Sequence, residues 1–149
     1  MKNTNISIYV PVYNGEKTIE RCINSILEQS IKPSNILVLN DSSNDNTLEI
    51  LKKYEGLIRI KSNPSNLGLS YSRNIAVNEL KTRYIASIDA DVELDKYWLE
   101  ILYSNILKND ATLAGGRMYE KYLNNPFNHW RSVRIGQEWG DKDLNDPSF

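Results

Sequence analysis

The residues best suited to chemistry are polar groups at the ends of apolar runs. Asp89-Ala90-Asp91 follows the run Arg83 to Ile88, Asn40-Asp41-Ser42-Ser43 follows Ile36 to Leu39, and Tyr13-Asn14-Gly15 follows Ile6 to Val12. In an extended segment, residues two apart share a face, so the carboxylates of Asp89 and Asp91 can converge on one point. Two carboxylates held together repel each other. A hard divalent cation relieves that repulsion, and Mg2+ or Mn2+ is commonly held by one or two carboxylates, with phosphate oxygens and water completing the shell. The competing reading is local: Asp91 or Asp95 caps the positive end of the helix that follows.

Phosphate chemistry would need donors that the usual cradles do not supply here. There is no GxGxxG after the first apolar run and no GxxxxGK[ST], which disfavours a dinucleotide dehydrogenase or a P-loop NTPase. Asn66 to Asn74 (NLGLSYSRN) instead puts a glycine at a turn and Arg73 in the first turns of a helix. Backbone amides and a guanidinium can face an anion there, although an exposed Arg on an ordinary helix is as good an account. Gly68-Leu69-Ser70-Tyr71-Ser72 lacks the closing glycine of a nucleophile elbow, and the only histidine is the distant His129, so a serine hydrolase is disfavoured.

The elements that must position these residues follow from periodicity. Ile6 to Val12 reads as a strand, and Ile19, Cys22, Ile23, Ile26 and Leu27 fall at the spacing of one helix face. Ile36 to Leu39 reads as a strand covered on both faces. Asn46 with Glu49 resembles a capping box, opening a second helix with Leu48, Leu51 and Tyr54 inward. Leu57 to Ile60 is a short third strand, and the third helix carries Ala76, Val77 and Leu80 inward. Arg83 to Ile88 is the fourth strand, followed by a helix from about Asp95 to Lys108 with Trp98, Ile101, Leu102 and Ile106 inward, and Ala111 to Met118 is a candidate fifth strand. Strand and helix alternate with short connections, which predicts right-handed crossovers and an α/β, mostly parallel sheet flanked by helices. In such sheets ligands bind beyond the carboxyl ends of the strands, where the polar residues above fall.

Composition agrees with one globular domain. The 149 residues are 40% hydrophobic and 25% charged, with 18 Lys and Arg against 19 Asp and Glu. The basic residues are scattered, so nucleic acid is not an expected partner. No stretch approaches the roughly 18 apolar residues of a membrane span, and the first residues lack the pattern of a signal peptide. The single cysteine, Cys22, is expected in the core and suits a reducing compartment. From Glu120 to Phe149 periodicity fails. The aromatics Tyr122, Phe127, Trp130 and Trp139 follow no clean period, so the organisation expected is an α/β domain over residues 1–119 and an irregular tail over 120–149.

Together these segments resemble the N-terminal half of a family 2 glycosyltransferase with the Rossmann-like GT-A fold. The resemblance is carried by SIYVPVYNGEKTIERCINSILEQ, LVLNDSSNDNTLEIL, NLGLSYSRNIAV and YIASIDADVELDKYWLE, in that order. It implies transfer of a sugar, usually with inversion, from a nucleoside-diphosphate-sugar, by family habit a UDP-sugar, to a hydroxyl of a saccharide or lipid-linked acceptor. By the same resemblance Pro11 and Val12 line the nucleotide pocket, Asp41 hydrogen-bonds the base, and Arg73 lies against base or diphosphate. Asp89 and Asp91 match the DxD motif, Asp89 facing ribose and metal-bound water and Asp91 coordinating Mn2+ or Mg2+. Gly115-Gly116-Arg117 resembles the strand passing near the donor sugar. The location implied is cytoplasmic, with a peripheral position at the inner face of the membrane as the alternative.

Two departures from the family pattern stand out. The family usually has two acids and then Gly-Ser after the second strand, whereas this chain has Asn40-Asp41-Ser42-Ser43. The family's general base lies well downstream of the DxD motif, so the expectation is a donor-binding half without its catalytic base. Glu138, Asp141, Asp143 and Asp146 match nothing in that downstream motif. A non-catalytic nucleotide-binding or interaction module of the same fold is the alternative. A phosphatase of the haloacid dehalogenase type is a weaker rival, because it expects Thr or Val four residues after the first Asp, where this chain has Glu93.

Overall fold

A computed structural model describes residues 4–116, 118, 119, 121, 124 and 126. The chain divides into two compact units, Met1–Ile101 and Leu102–Phe149. The first holds β1 (Ile6–Val12), α1 (Ile19–Leu27), β2 (Asn35–Asn40), α2 (Thr47–Lys52), β3 (Arg59–Ser62), α3 (Leu69–Glu79), β4 (Tyr84–Ser87) and the start of α4 (Trp98–Asn109). The strands form one parallel sheet in the order β3-β2-β1-β4. Register runs Ile8 to Ile36 and Val10 to Val38 between β1 and β2, Ile6 to Tyr84 between β1 and β4, and Asn40 to Ser62 between β2 and β3. The alternating α/β order of the sequence is therefore realised as a four-stranded parallel sheet with flanking helices.

Burial explains why β1 and β2 read as continuous apolar runs. Every residue of β1 is buried, and so is every residue of β2 after Asn35. A central parallel strand is covered on both faces, so it shows no alternation of apolar and polar residues. On one face Tyr9, Leu37 and Leu39 pack with Ala76 of α3 and with Leu80 just beyond it. Ile8, Val10 and Val38 alternate with those residues and are wholly buried on the other face. In α1 the predicted stripe is inward, with Ile19, Cys22, Ile23 and Ile26 wholly buried. Each such isoleucine contributes roughly 1.5–3 kcal/mol.

Elsewhere packing moved the elements. β3 starts at Arg59 rather than Leu57, because Gly56 sits at φ +88° and Leu57 is left 64% exposed in the turn. The Asn46–Glu49 capping box does not form. Asn46 gives its side-chain amide to Glu16, while Asp45 accepts the Thr47 N–H at 3.0 Å. In α2 the wholly buried residues are Thr47 and Leu51, and Leu48 and Tyr54 are half-buried. In α3 the buried residues are Ser72 and Ala76, continued by Leu80 just past the helix end, which leaves Val77 57% exposed. α4 begins at Trp98 rather than near Asp95, and Leu99 and Ile106 are buried while Ile101 is 53% exposed. Among the described residues, 111–118 form no strand, and Leu113 is 86% exposed. A strand needs a ladder partner for its backbone groups, and among the described residues this segment has none. Arg117, the aromatics Tyr122, Phe127, Trp130 and Trp139, His129, and the acids Glu138, Asp141, Asp143 and Asp146 lie outside the described residues.

Candidate active site

The strand order sets where a site can form. From β1 the chain moves outward to β2 and β3, then returns to place β4 on the other side of β1. The connections leaving β1 and β4 therefore diverge, and this divergence opens a crevice at the carboxyl ends of the strands. An open cleft of about 300 Å³ lies there, lined by Pro11, Val12, Tyr13, Asn14, Gly15 and Thr18 on one side and Ala90 and Asp91 on the other.

The β1 side of the cleft is shaped by a glycine and held by the connection after β2. A Cβ on Gly15 would lie 2.5 Å from Val12 Cγ2, so only glycine lets the chain turn this tightly over the strand end. Gly15 N–H donates to Thr47 Oγ1 at 2.8 Å, and Glu16 N–H donates to Asp45 Oδ2 at 3.0 Å. Thr47 in turn donates its hydroxyl to Asp45 Oδ1. Asn14, at φ +51°, donates its N–H to Ser43 Oγ and accepts the Asn44 N–H on its side-chain oxygen. Burial alone would raise the Asp45 carboxyl, but the hydroxyl and N–H of Thr47 and the N–H of Glu16 hold it below its ordinary value.

The acids after β4 are placed by a turn rather than by an extended chain. β4 ends at Ser87, and Val92 N–H donates to the Asp89 carbonyl at 3.1 Å, so the same-side argument for residues two apart does not apply. Asp89 faces Arg73, whose Nη2 is 3.4 Å from Oδ1, and both side chains are substantially exposed. Asp91 is exposed and lines the cleft. The turn rests on α1: the Cys22 thiol donates to the Asp89 carbonyl at 3.6 Å, and Leu94 N–H donates to Ser25 Oγ at 3.0 Å. Cys22 is wholly buried, as expected of a core thiol. Burial, and then the charges of Asp91, Asp89 and Glu93, push that thiol up to about 12. Asp95 is the acid that organises the start of α4, accepting the Tyr97 N–H at 2.9 Å.

Asp41 stands apart from the cleft lining. It is only 5% exposed, and its oxygens accept Asn63 Nδ2 at 2.7 Å, Leu67 N–H at 2.9 Å and Gly68 N–H at 2.8 Å. Burial would raise this carboxyl, but those three bonds hold it below its ordinary value. Ser42 beside it has φ +59°, a conformation that costs a residue with a Cβ roughly 1–2 kcal/mol. Asn40 accepts the Ser43 N–H on Oδ1 and donates Nδ2 to Ser62 Oγ, a neutral tie at the place where the family usually has an acid.

Pro11, Val12 and Asp91 thus share one cleft, Arg73 and Asp89 pair with each other, and Asp41 holds the turn that begins α3. Tyr13, in the polar stretch named after β1, lines the cleft, whereas the Asp45–Thr47 pair and Gln29 were not singled out by sequence reasoning. Gln29 is 1% exposed, accepts the Leu99 N–H at 2.9 Å and donates to the Asp95 carbonyl at 2.7 Å. The Asp-x-Thr spacing at 45–47 carries a recognisable turn signal, whereas nothing local marks Gln29 as buried.

Comparison with known proteins gives a consistent picture. The family model described as Glycosyl transferase family 2 matches residues 7–147. Glycosyltransferase GlyA of Streptococcus pneumoniae is 34% identical over 116 residues, covering 76% of this chain and 17% of that protein. Chondroitin synthase of Pasteurella multocida is 39% identical over 112 residues, covering 73% and 11%. Poly(ribitol-phosphate) beta-N-acetylglucosaminyltransferase TarP of Staphylococcus aureus is 34% identical over 117 residues, covering 75% and 36%. Among solved structures, S. aureus TarS 1-349 in complex with UDP superposes with a TM-score of 0.66 at 27% identity, covering 72% of this chain and 33% of that one. Its complex with UDP-GlcNAc superposes at 0.65 and 28% identity, covering 72% and 32%. The chain spans little more than a third, at most, of the length of these relatives.

Proposed function

Because the chain belongs to glycosyl transferase family 2, we propose that it carries the donor- and metal-binding half of an enzyme that transfers a sugar from a nucleoside-diphosphate-sugar, a UDP-sugar first, to a hydroxyl of a saccharide or lipid-linked acceptor. The observation that carries this reading is the cleft in which Pro11 to Gly15 face Asp91 across the divergence of the connections leaving β1 and β4. The solved relatives with UDP and UDP-GlcNAc favour uracil as the base.

In this reading Pro11, Val12 and Tyr13 form the wall against which the nucleoside lies. Asp41, ionised throughout the neutral range and with three of its roughly four acceptor positions filled by Asn63, Leu67 and Gly68, offers the remaining one to the base. Arg73 faces the diphosphate and balances the charge of Asp89. Asp91 and Asp89 offer the hard carboxylate oxygens that Mn2+ or Mg2+ prefers, and these two residues would hold such an ion. When bound, the ion would supply Lewis-acid stabilisation of the charge that collects on the diphosphate. The compartment proposed is the cytoplasm, on the single unpaired thiol of Cys22. Among the described residues no helix is long and apolar enough to cross a membrane.

A thermal-shift titration with UDP, GDP and dTDP, each with and without Mn2+, tests this reading. A ligand that binds only the folded state adds about 2.7 kcal/mol at a hundred times its Kd. The expected result is a metal-dependent rise with UDP that Asp91→Ala abolishes. The absence of a rise with every nucleotide in a cooperatively folded sample overturns the donor-site reading.

A further inference from the structure

Asn63 lies just past the end of β3 and is 7% exposed, although its sequence context, Ser62 to Gly68, reads as an ordinary polar turn. Its N–H donates to the Asn40 carbonyl at 2.9 Å, carrying the β2–β3 ladder one residue beyond the strands. Its Nδ2 donates twice, to Asp41 Oδ1 at 2.7 Å and to Ser72 Oγ at 3.3 Å. Ser72 is wholly buried in the first turn of α3, directly before Arg73. One amide therefore ties the ends of β2 and β3 to the helix whose Arg73 reaches Asp89 beyond β4.

Resting on the donor-site reading above, we propose that Asn63 is a positioning residue for the nucleotide. It fixes the Asp41 carboxylate and, through Ser72, the first turn of α3, so that Asp41 and Arg73 meet the nucleotide in a set relation. The amide is suited to this because it donates without bringing charge. A carboxylate in its place sets two acids within hydrogen-bond distance, where one must hold a proton for the contact to survive.

The test measures UDP affinity with Mg2+ by calorimetry for the wild-type chain, Asn63→Ala, Asn63→Asp and Ile6→Val, each at a temperature where circular dichroism shows it folded. Ile6 is buried at the opposite end of β1 and controls for lost stability alone. Asn63→Ala is expected to bind at least about tenfold more weakly, the factor corresponding to 1.4 kcal/mol. Asn63→Asp is expected to approach wild-type affinity at pH 5 and to lose it progressively towards pH 8, as the shared proton leaves. Taking each affinity relative to wild type at the same pH cancels the titration of UDP itself. Ile6→Val is expected to bind as wild type does. Wild-type binding with both Asn63 variants unchanged, or weakened equally at every pH, overturns the role of Asn63 and leaves the donor site standing. Failure of the wild type to bind UDP overturns both.

Discussion

Replacing Thr47 by valine preserves shape and removes one hydroxyl, so the consequence can be worked out from its partners. The Thr47 side chain is wholly buried; its Oγ1 accepts the Gly15 N–H at 2.8 Å and donates to Asp45. Valine leaves the Gly15 N–H without its acceptor, at a cost of about 1–3 kcal/mol, and removes a hydrogen bond to a charged group worth about 1.5–3 kcal/mol. Asp45 keeps the Thr47 backbone N–H and the Glu16 N–H, so the two losses do not add in full. The expected destabilisation is about 2–4 kcal/mol, read as a lower urea midpoint with unchanged slope. For a chain of this size it corresponds to a fall in Tm of roughly 5–15 °C. Thr47→Ser keeps the hydroxyl and loses one methyl, so it is expected to give up only about 1 kcal/mol. The affinity for UDP is expected to fall in Thr47→Val and to be restored in Thr47→Ser, because Gly15 lines the cleft. A valine variant within about 0.5 kcal/mol of wild type, or a serine variant no better than valine, refutes the reasoning.

Two further outcomes follow from the same connections. Ser42→Gly is expected to stabilise the chain by about 0.5–1 kcal/mol, the relief of φ +59° less the entropy glycine loses on folding, as a raised urea midpoint. Asp41, Asp45 and Glu79 are each held below their ordinary values, Glu79 chiefly by its hydrogen bond from Lys61. A lowered folded-state value stabilises the chain above the unfolded-state value and is lost as pH falls through the folded one. The urea midpoint is therefore expected to be flat above about pH 5 and to fall below about pH 4, less steeply in Asp41→Asn.

What the sequence showed directly was what depends on local periodicity. β1, the inward stripe of α1 and the position of the polar ends after each strand were all legible, because a doubly covered strand and an amphipathic helix announce themselves within a few residues. The phases of α3 and α4 were not. Val77 and Ile101 fit an apolar stripe as well as Ser72 and Leu99 do, and only the position of the sheet decides which face turns inward. The site was half legible for the same reason. Asp89, Asp91 and Arg73 stand in recognisable motifs, whereas Asn63 and Gln29 act through partners more than 20 residues away that no local pattern reveals. The turn at Asp89–Val92 was not legible because the apolar run continues through Ile88, one residue past the last ladder partner of β4, Ser87.

The order of the strands also bears on how the chain reaches its native state. β1 pairs with β2 across a short connection, but its pairing with β4 closes a far longer loop, marked by the Thr82–Ser7 hydroxyl contact across 75 residues. Non-local parallel pairing forms slowly, because the entropy of closing the loop is lost before the contacts that compensate for it exist. The cleft needs β1 and the turn after β4 together, so an intermediate with only β1 to β3 assembled has one wall and no place for a ligand. If the donor-site proposal holds, nucleotide binding during refolding reports the last long-range closure, and a ligand present throughout traps the finished sheet without hastening its assembly.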